Sequence, residues 1–135
     1  MEKYTIEKDI PTFYVEASSF PEGIQDAWQQ LHELVRGDKQ RRFYGLSQAT
    51  KDGKIIYRAA TEERTPGEKE KFDCPGYVIK KGKYLSKTIH DFMQHTPEIG
   101  QTFQQMLKED IDPEGSCVEW YENEKDVRCM VRLKQ

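Results

Sequence analysis

The chain has 135 residues, of which 36% are hydrophobic, and its formal net charge is −3. Seven tyrosines, six phenylalanines and two tryptophans argue against disorder, because disordered chains are poor in aromatic residues and strongly charged. We therefore expect one folded domain over residues 1–135, with a thin core rich in aromatic side chains.

Several classes of protein are excluded at this point. No apolar stretch approaches the 18 residues of a membrane span, and the charged N-terminus lacks a signal-peptide core, so we expect a cytoplasmic protein that does not bind membranes. Acidic and basic residues are interspersed, which argues against direct binding of nucleic acid. The spacing of three cysteines and three histidines fits neither zinc ligation nor a disulfide framework, so we expect free thiols, no metal and no cofactor.

The first half of the chain predicts a strand, a helix and a hairpin. Residues 4–17 contain Ile6, Ile10, Phe13 and Val15 and are broken by Pro11, which is typical of an edge strand with a kink or bulge. Ser19 and Glu22 have the spacing of a capping box, and apolar residues recur at helical spacing through Arg36, with Gly37 as the stop. Residues 43–50 and 54–61 flank Asp-Gly, a strong hairpin signal.

The second half predicts the same order of elements. The charged residues 62–71 form a surface loop, and residues 72–80 follow as a strand. Residues 84–107 have helical spacing in two pieces, interrupted before Pro97. Residues 117–122 and 126–133 form a closing hairpin.

The two halves, approximately residues 1–63 and 70–135, therefore share one order of elements. Each predicts a strand-helix-strand-strand module that buries one sheet face against its helix. We expect an α+β fold in which two such modules, related by a pseudo-twofold axis, form an antiparallel sheet with a central groove.

Four segments carry a resemblance to a known family. They are residues 43–47 (FYGLS), 57–60 (YRAA), 75–84 (PGYVIKKGKY) and 117–123 (CVEWYEN). In order and spacing, residues 4–133 resemble the GyrI-like, or bacterial effector-binding, domain family. Members are stand-alone proteins or the ligand domains of AraC-type and MerR-type transcription regulators, built as two modules around an aromatic-lined pocket.

The resemblance implies a function. Many members bind lipophilic cations through a buried glutamate, and the matching residue is Glu119. Some stand-alone members resemble hydrolases of cyclopropane-bearing toxins. The final strand departs from the family pattern, because Arg128 replaces an acidic residue. That departure argues against a mechanism with two carboxylates and against a strong preference for cations.

The residues themselves point to the same glutamate. Strand alternation places Cys117, Glu119 and Tyr121 on one face, and the hairpin turn places Glu119 opposite Cys129. A carboxylate in such apolar surroundings either raises its pKa or binds a counter-charge, and a lipophilic cation supplies that charge. Two alternatives remain open: Glu119 lies on a solvated face, or it pairs with Arg58 or Arg128.

Further candidates for ligand contact are aromatic. Tyr57 and Tyr121 are the strongest, since each offers a ring and a hydroxyl near Glu119. Each aromatic residue taken singly is also a candidate for the core. The remaining candidates for the binding site are Trp28, Tyr14, Tyr44 and Cys117. We do not expect a cysteine nucleophile, because no histidine is placed to activate it.

Three functions follow from these residues. We expect first a stand-alone module that binds a small amphiphilic ligand and is not an enzyme. The second is a hydrolase in which Glu119 is the catalytic acid. The third is an inhibitor of gyrase type that binds a protein. Because the N-terminus leads directly into a strand, we expect no helix-turn-helix, so a role in transcription needs a protein partner; a homodimer also remains open.

Overall fold

The computed structural model describes residues 1–36, 38 and 40–135 of the chain. Within them, eight strands form a single curled antiparallel sheet accompanied by helices, which is the predicted α+β fold. The strands are β1 (Glu2–Ile6), β2 (Ile10–Glu16), β3 (Phe43–Ala49), β4 (Ile55–Glu62), β5 (Gly76–Ile79), β6 (Gly82–Ile89), β7 (Cys117–Tyr121) and β8 (Val127–Arg132). The α-helices are α1 (Ile24–Leu34), α2 (Glu68–Lys71) and α3 (Thr96–Met106), and Phe92–Gln94 forms one 3-10 turn.

The order of the strands shows the pseudo-twofold relationship. It runs β1-β6-β8-β7-β3-β4-β2-β5, so that β3 and β7 lie together at the centre. On one side of this pair lie β4 and β2, and on the other side lie β8 and β6. The units β2-α1-β3-β4 and β6-α3-β7-β8 are therefore equivalent, and the axis passes between the two central strands.

The outer strands are exchanged between the two units. The first strand of the chain, β1, pairs with β6, and Tyr4 lies opposite Tyr84. In return, β5 pairs with β2, and Tyr77 lies opposite Thr12. Each half of the chain thus completes the sheet of the other half.

Helices cover one face of the sheet. Ala27 and Leu31 of α1 pack against Phe13 and Ala59. In the second unit, α3 packs in the same way on β8 and β6. We call this side the helical face. None of the helices in the part of the chain described is long and apolar enough to cross a membrane.

A separate core lies on the opposite face of the sheet. Its buried members are Ile6, Tyr44, Leu46, Ala60, Ile79, Tyr84, Val118 and Met130. The thin core expected from composition is therefore divided between two faces of one sheet.

The prediction of one kinked strand over residues 4–17 is wrong. That segment forms β1 and β2, which pair with different partners. The polar residues 7–9 connect them. Pro11 lies just before the ladder to β4, which begins at Thr12, so the missing N–H of proline interrupts no bond of that ladder.

The start of the first helix also differs from the prediction. Ser19 provides no side-chain cap, and α1 begins only at Ile24. The backbone carbonyl of Ser19 instead accepts a hydrogen bond from the N–H of Gly23, closing a turn before the helix. The predicted stop at Gly37 lies outside the described residues, and the last helical residue is Leu34.

The largest error concerns the predicted helix over residues 84–107. Its first part is strand β6, and α-helix is confined to Thr96–Met106, after the 3-10 turn at Phe92–Gln94. Ile89, Phe92 and Met93 have helical spacing, but Tyr84 and Ser86 alternate toward the sheet core. Pairing of β6 on both sides, with β1 and β8, outweighs the local pattern. The predicted strand over residues 72–80 is shorter than expected and is confined to Gly76–Ile79.

The charged segment 62–71 is not simply a surface loop. It contains α2, in which Glu68 is buried and forms an ion pair with Arg41. Arg41 also lies over the rings of Phe13 and Phe72. This buried ion pair anchors the segment to the edge of the core beneath α1.

Candidate functional site

A cavity of about 580 Å³ lies on the helical face, above the central strands. Its floor comes from β3, β4 and β7, and its walls come from α3 and the turn before α1. The large apolar residues that line it are Phe20, Ile24, Ile55, Ile99, Phe103 and Leu107. Three of them, Phe20, Ile55 and Leu107, are also exposed to solvent, so the cavity has an apolar rim.

Glu119 lies on the floor of this cavity. It is the third residue of β7, and its neighbours across the strands are Gly45 of β3 and Cys129 of β8. The predicted register of the closing hairpin is therefore confirmed. Alternation along β7 brings Cys117 and Tyr121 into the same cavity, whereas Val118 belongs to the core of the opposite face.

Two tyrosine hydroxyls converge on one oxygen of Glu119. The hydroxyl of Tyr57 donates to Oε1 at 3.0 Å, and the hydroxyl of Tyr121 donates to the same atom at 2.5 Å. The indole Nε1 of Trp28 in turn donates to the Tyr57 hydroxyl at 3.1 Å. A chain of donors thus runs from α1 through β4 to the carboxylate on β7.

The surroundings of Glu119 favour its neutral form. Burial raises the pKa of the Glu119 carboxyl, although the hydrogen bonds from Tyr121 and Tyr57 act in the opposite direction. Burial raises the pKa of both tyrosines, and the negative charge of Glu119 raises it further when that group is ionised, so these hydroxyls remain protonated donors. Among the described residues that line the cavity, Glu119 is the one acid, and none is Lys, Arg or His.

The cavity depends on a glycine. A Cβ atom at Gly45 would lie 2.5 Å from Oε1 of Glu119 and closer still to the hydroxyl oxygen of Tyr57. Real Cβ atoms do not approach other atoms so closely. The missing side chain at position 45 therefore provides the space in which the Tyr57 hydroxyl meets Glu119.

The two arginines considered as partners of Glu119 are engaged elsewhere. Arg58 pairs with Glu16, and its guanidinium lies over Tyr14. Arg128 lies 3.4 Å from a carboxylate oxygen of Glu122. Arg58 follows Tyr57 in β4, and Arg128 precedes Cys129 in β8. Because neighbouring residues of a strand point to opposite faces, both arginines point away from the helical face. Arg128 consequently adds no positive charge to the described cavity lining.

The remaining candidates are divided between the two faces. Cys117 lines the cavity, where burial raises the pKa of its thiol to about 11, so the thiol is neutral. Trp28 reaches the site through Tyr57. The structure does not bring Tyr14 and Tyr44 to this cavity, because both pack against the core of the opposite face.

A second hollow, of about 390 Å³, lies on that opposite face near Tyr4, Tyr44 and Trp120. Most of the charged residues that line it are exposed, and among its described lining residues no carboxylate accepts hydrogen bonds from two tyrosine hydroxyls as Glu119 does. We therefore place the candidate site in the cavity of the helical face.

Sequence reasoning missed the walls of the cavity. Ile99 and Phe103 lie in the second piece of the predicted helix over residues 84–107, but which strands that helix covers depends on long-range packing. Gly45 belongs to the segment FYGLS, but no part in the binding site is predicted for it from the sequence. A glycine inside a predicted strand often indicates close approach by another group, and this signal could have identified Gly45.

Among the described residues, no group of three metal-binding side chains is close enough to hold a metal ion. No family model matches the chain. No curated protein matches it either.

The chain is similar in fold to several solved structures. SAV2435, solved bound to tetraphenylphosphonium, superposes with a TM-score of 0.66 at 13% identity, over 98% of this chain and 93% of the other. A Staphylococcus aureus MU50 protein assigned to bacterial transcription regulation has a TM-score of 0.59 at 12% identity, with 97% of each chain covered. A hydrolase from Listeria innocua has a TM-score of 0.58 at 10% identity, over 98% of this chain and 92% of the other. These similarities establish a shared fold.

Proposed function

We propose that this chain is a GyrI-like effector-binding domain that binds small amphiphilic cations in the cavity above Glu119. The observation that carries the proposal is a lone carboxyl group on the floor of an apolar cavity, with no cationic side chain among the described lining residues. Burial raises the pKa of the Glu119 carboxyl, and the positive charge of a bound cation would favour the ionised form of that group.

We expect the cavity to bind a cation more tightly than a neutral analogue of the same shape. An ionised carboxylate away from water is costly unless a counter-charge is close. A cation with an apolar body supplies that charge and also covers the walls formed by residues such as Ile99 and Phe103. Aromatic rings near the site add cation–π attraction of about 0.5–2 kcal/mol each. A neutral analogue of the same shape would gain only the apolar part of this free energy.

The fold comparison supports the same class of ligand. The tetraphenylphosphonium bound to SAV2435 is a lipophilic cation, and that protein shares the fold over nearly the whole chain. Pairing of such a cation with Glu119 is the step that we infer for the present chain.

Calorimetric titration with tetraphenylphosphonium tests the proposal. We expect saturable binding by the wild-type protein and a loss of about 10-fold or more in affinity for Glu119→Gln, which keeps the shape and removes the charge. Glu122→Gln is the matched control, because Glu122 lies in the same segment but does not line the cavity. Equal affinity of all three proteins, or no binding by the wild type, would contradict the proposal.

The same residues favour a second function, acid-catalysed hydrolysis. A carboxylic acid with a raised pKa beside two hydroxyl donors has the properties of a general acid. In this reaction, Glu119 donates its proton to one atom of a strained bond as that bond breaks, and water adds to the other atom. The water then returns a proton to the carboxylate, which restores the acid.

Turnover separates the two functions. A cyclopropane-bearing electrophile incubated with the wild-type protein and with Glu119→Gln should be hydrolysed only by the wild type if catalysis takes place. Binding of tetraphenylphosphonium without turnover of the electrophile favours the binding module. Turnover that is unchanged in Glu119→Gln would exclude Glu119 as the acid.

A further inference from the structure

The two oxygens of Glu119 are not equivalent. Both tyrosine hydroxyls donate to Oε1, at 3.0 and 2.5 Å, and no hydrogen bond from the described residues reaches Oε2. Buried side-chain polar atoms without a hydrogen-bond partner in the described part of the chain are limited to the Nε atoms of Arg41 and Arg128. Oε2 is therefore not sealed inside the protein, and since Glu119 lines the cavity, this oxygen is the one that an occupant can reach.

Oε2 of the ionised Glu119 requires a hydrogen-bond donor. A carboxylate accepts hydrogen bonds at both oxygens, and an oxygen that has left water without a replacement donor loses stabilisation. The described cavity lining offers Oε2 no Lys, Arg or His donor. A donor brought by the ligand would therefore complete the hydrogen bonding of Glu119.

We propose that the preferred ligand is a cation that carries at least one N–H, an alkylammonium or an amidinium, rather than a permanently alkylated cation. This inference rests on the proposed binding of cations at Glu119. An N–H of such a ligand would donate to Oε2 while the two tyrosines continue to hold Oε1.

The two classes of cation differ in how closely their charge approaches the carboxylate oxygen and in whether they can donate a hydrogen bond to it. A charged N–H donor approaches a carboxylate oxygen to about 2.7–2.9 Å and forms a hydrogen bond about twice as strong as one between neutral groups. In a quaternary ammonium or phosphonium ion, carbon groups surround the charge, so it stays farther away and donates nothing. Such an ion would leave Oε2 desolvated and without a donor.

The rest of the cavity is suited to one polar end and one apolar body. Ser47 and Gln104 line it with Glu119, so acceptors are available for a second or third N–H of a primary or secondary amine. The apolar residues of α3, Ile99 and Phe103, line the cavity beside them. The ligand class is therefore an arylalkyl amine or a similar amphiphile whose nitrogen is protonated at neutral pH.

A matched pair of ligands tests the inference. The first is N,N-dimethyl-4-phenylbutylamine, whose ammonium form carries one N–H, and the second is its N,N,N-trimethyl analogue. Both are singly charged at pH 7. Calorimetry should show that the wild-type protein binds the N–H cation about 10-fold or more tightly than the quaternary one.

Glu119→Gln provides the second half of the comparison, because any difference in hydrophobicity between the ligands persists in the variant. The affinity ratio should fall to within about 3-fold in Glu119→Gln if the N–H interacts with the carboxylate. Melting temperatures of both proteins confirm that each is folded during the titration. A ratio that is unchanged in the variant would overturn the inference.

The remaining outcomes separate this inference from the proposal on which it rests. Equal binding of both cations by the wild type, with both lost in Glu119→Gln, overturns the N–H preference and supports cation binding. Absence of binding for both cations and for tetraphenylphosphonium overturns the proposed function and the inference together.

Discussion

Gly45 and Glu119 lie directly opposite each other in the β3–β7 pair, at the centre of the sheet. Phe43 pairs with Tyr121 on one side of them, and Ser47 pairs with Cys117 on the other. The pseudo-twofold axis passes between Gly45 and Glu119, so each occupies in its own half the position that the other occupies in the second half. One half thus contributes the acid, and the other half contributes the space for it.

We predict that Gly45→Ala disrupts the site. The added methyl group would overlap the Tyr57 hydroxyl and Oε1 of Glu119, so both must move. Overpacking of this kind costs about 1–3 kcal/mol in the free energy of unfolding, measured by urea denaturation, and affinity for tetraphenylphosphonium should fall with it. Gly100→Ala is the control for stability, because a Cβ at that helical position meets nothing within 4 Å and should be neutral or stabilising. Wild-type stability and affinity in Gly45→Ala would contradict this account of the site.

We predict that Glu119→Gln is more stable than the wild-type protein, by an amount that grows as pH rises. Burial raises the pKa of Glu119 above its ordinary value of 4.5, so over the pH range between the two values the folded state holds a proton that the unfolded chain has lost. Wild-type stability therefore falls as pH rises from 4.5 through the folded pKa, and Gln escapes this loss. We expect a gain of about 1 kcal/mol at pH 8 that shrinks toward pH 4, measured by thermal unfolding. A gain that is constant with pH would show that charge is not the cause.

We predict that Tyr57→Phe raises the pKa of Glu119 further. The Tyr57 hydroxyl donates to the carboxylate and so favours its ionised form, which the phenylalanine cannot do. A ¹³C NMR titration of the Glu119 carboxyl group measures the change. Tyr77→Phe is the matched control, because the Tyr77 hydroxyl bonds to Ser116 and lies away from the cavity. An unchanged or lowered pKa in Tyr57→Phe would mean that this hydrogen bond does not stabilise the carboxylate.

We predict that the two tryptophans respond differently to a ligand. Trp28 donates to Tyr57 beside the cavity, whereas Trp120 packs on the opposite face near Tyr44. Ligand-dependent fluorescence change should persist in Trp120→Phe, where Trp28 remains, and be lost in Trp28→Phe, where Trp120 remains. Affinity measured by calorimetry shows whether each variant still binds. The reverse pattern would place the ligand on the opposite face of the sheet.

We predict acid sensitivity from the ion pair of Arg41 and Glu68. The hydrogen bond from Arg41 lowers the pKa of the Glu68 carboxyl from 4.5 to about 2, although burial opposes the change. Its contribution to stability is therefore complete above pH 4.5 and is lost as pH falls toward 2. Glu68→Gln removes the buried negative charge beside Arg41 and leaves Asp38 as its ion-pair partner, and we expect a loss of about 2 kcal/mol at pH 7 that shrinks at pH 2–3, measured by urea denaturation. A loss of equal size at both pH values would contradict the prediction.

Local signals in the sequence account for much of the fold. The Asp-Gly turn and the alternation of residues 117–121 correctly predicted two hairpins, including the register of Glu119 against Cys129. Strand β6 was mistaken for helix because its identity depends on β1 and β8, which are far away in sequence. Non-local pairing of this kind leaves little trace in a short window of residues.

The candidate site was predictable in part for the same reason. Alternation within β7 is local and grouped Cys117, Glu119 and Tyr121 on one face. Which face of β3 meets that group depends on the register between β3 and β7, in which Gly45 and not Tyr44 lies opposite Glu119. Tyr44, one of the predicted ligand contacts, lies on the face of the sheet opposite the cavity.

The exchange of β1 and β5 has a consequence for assembly of the molecule. Because β1 pairs with β6 of the second half and β5 pairs with β2 of the first half, neither half can complete its strand pairing until both have been synthesised. Cleavage of the backbone within residues 62–67 would leave two fragments that remain associated through the β1–β6 and β5–β2 pairings. Co-expressed as separate polypeptides, they should reconstitute one heterodimeric unit, whereas either piece expressed by itself would present bare sheet edges and aggregate.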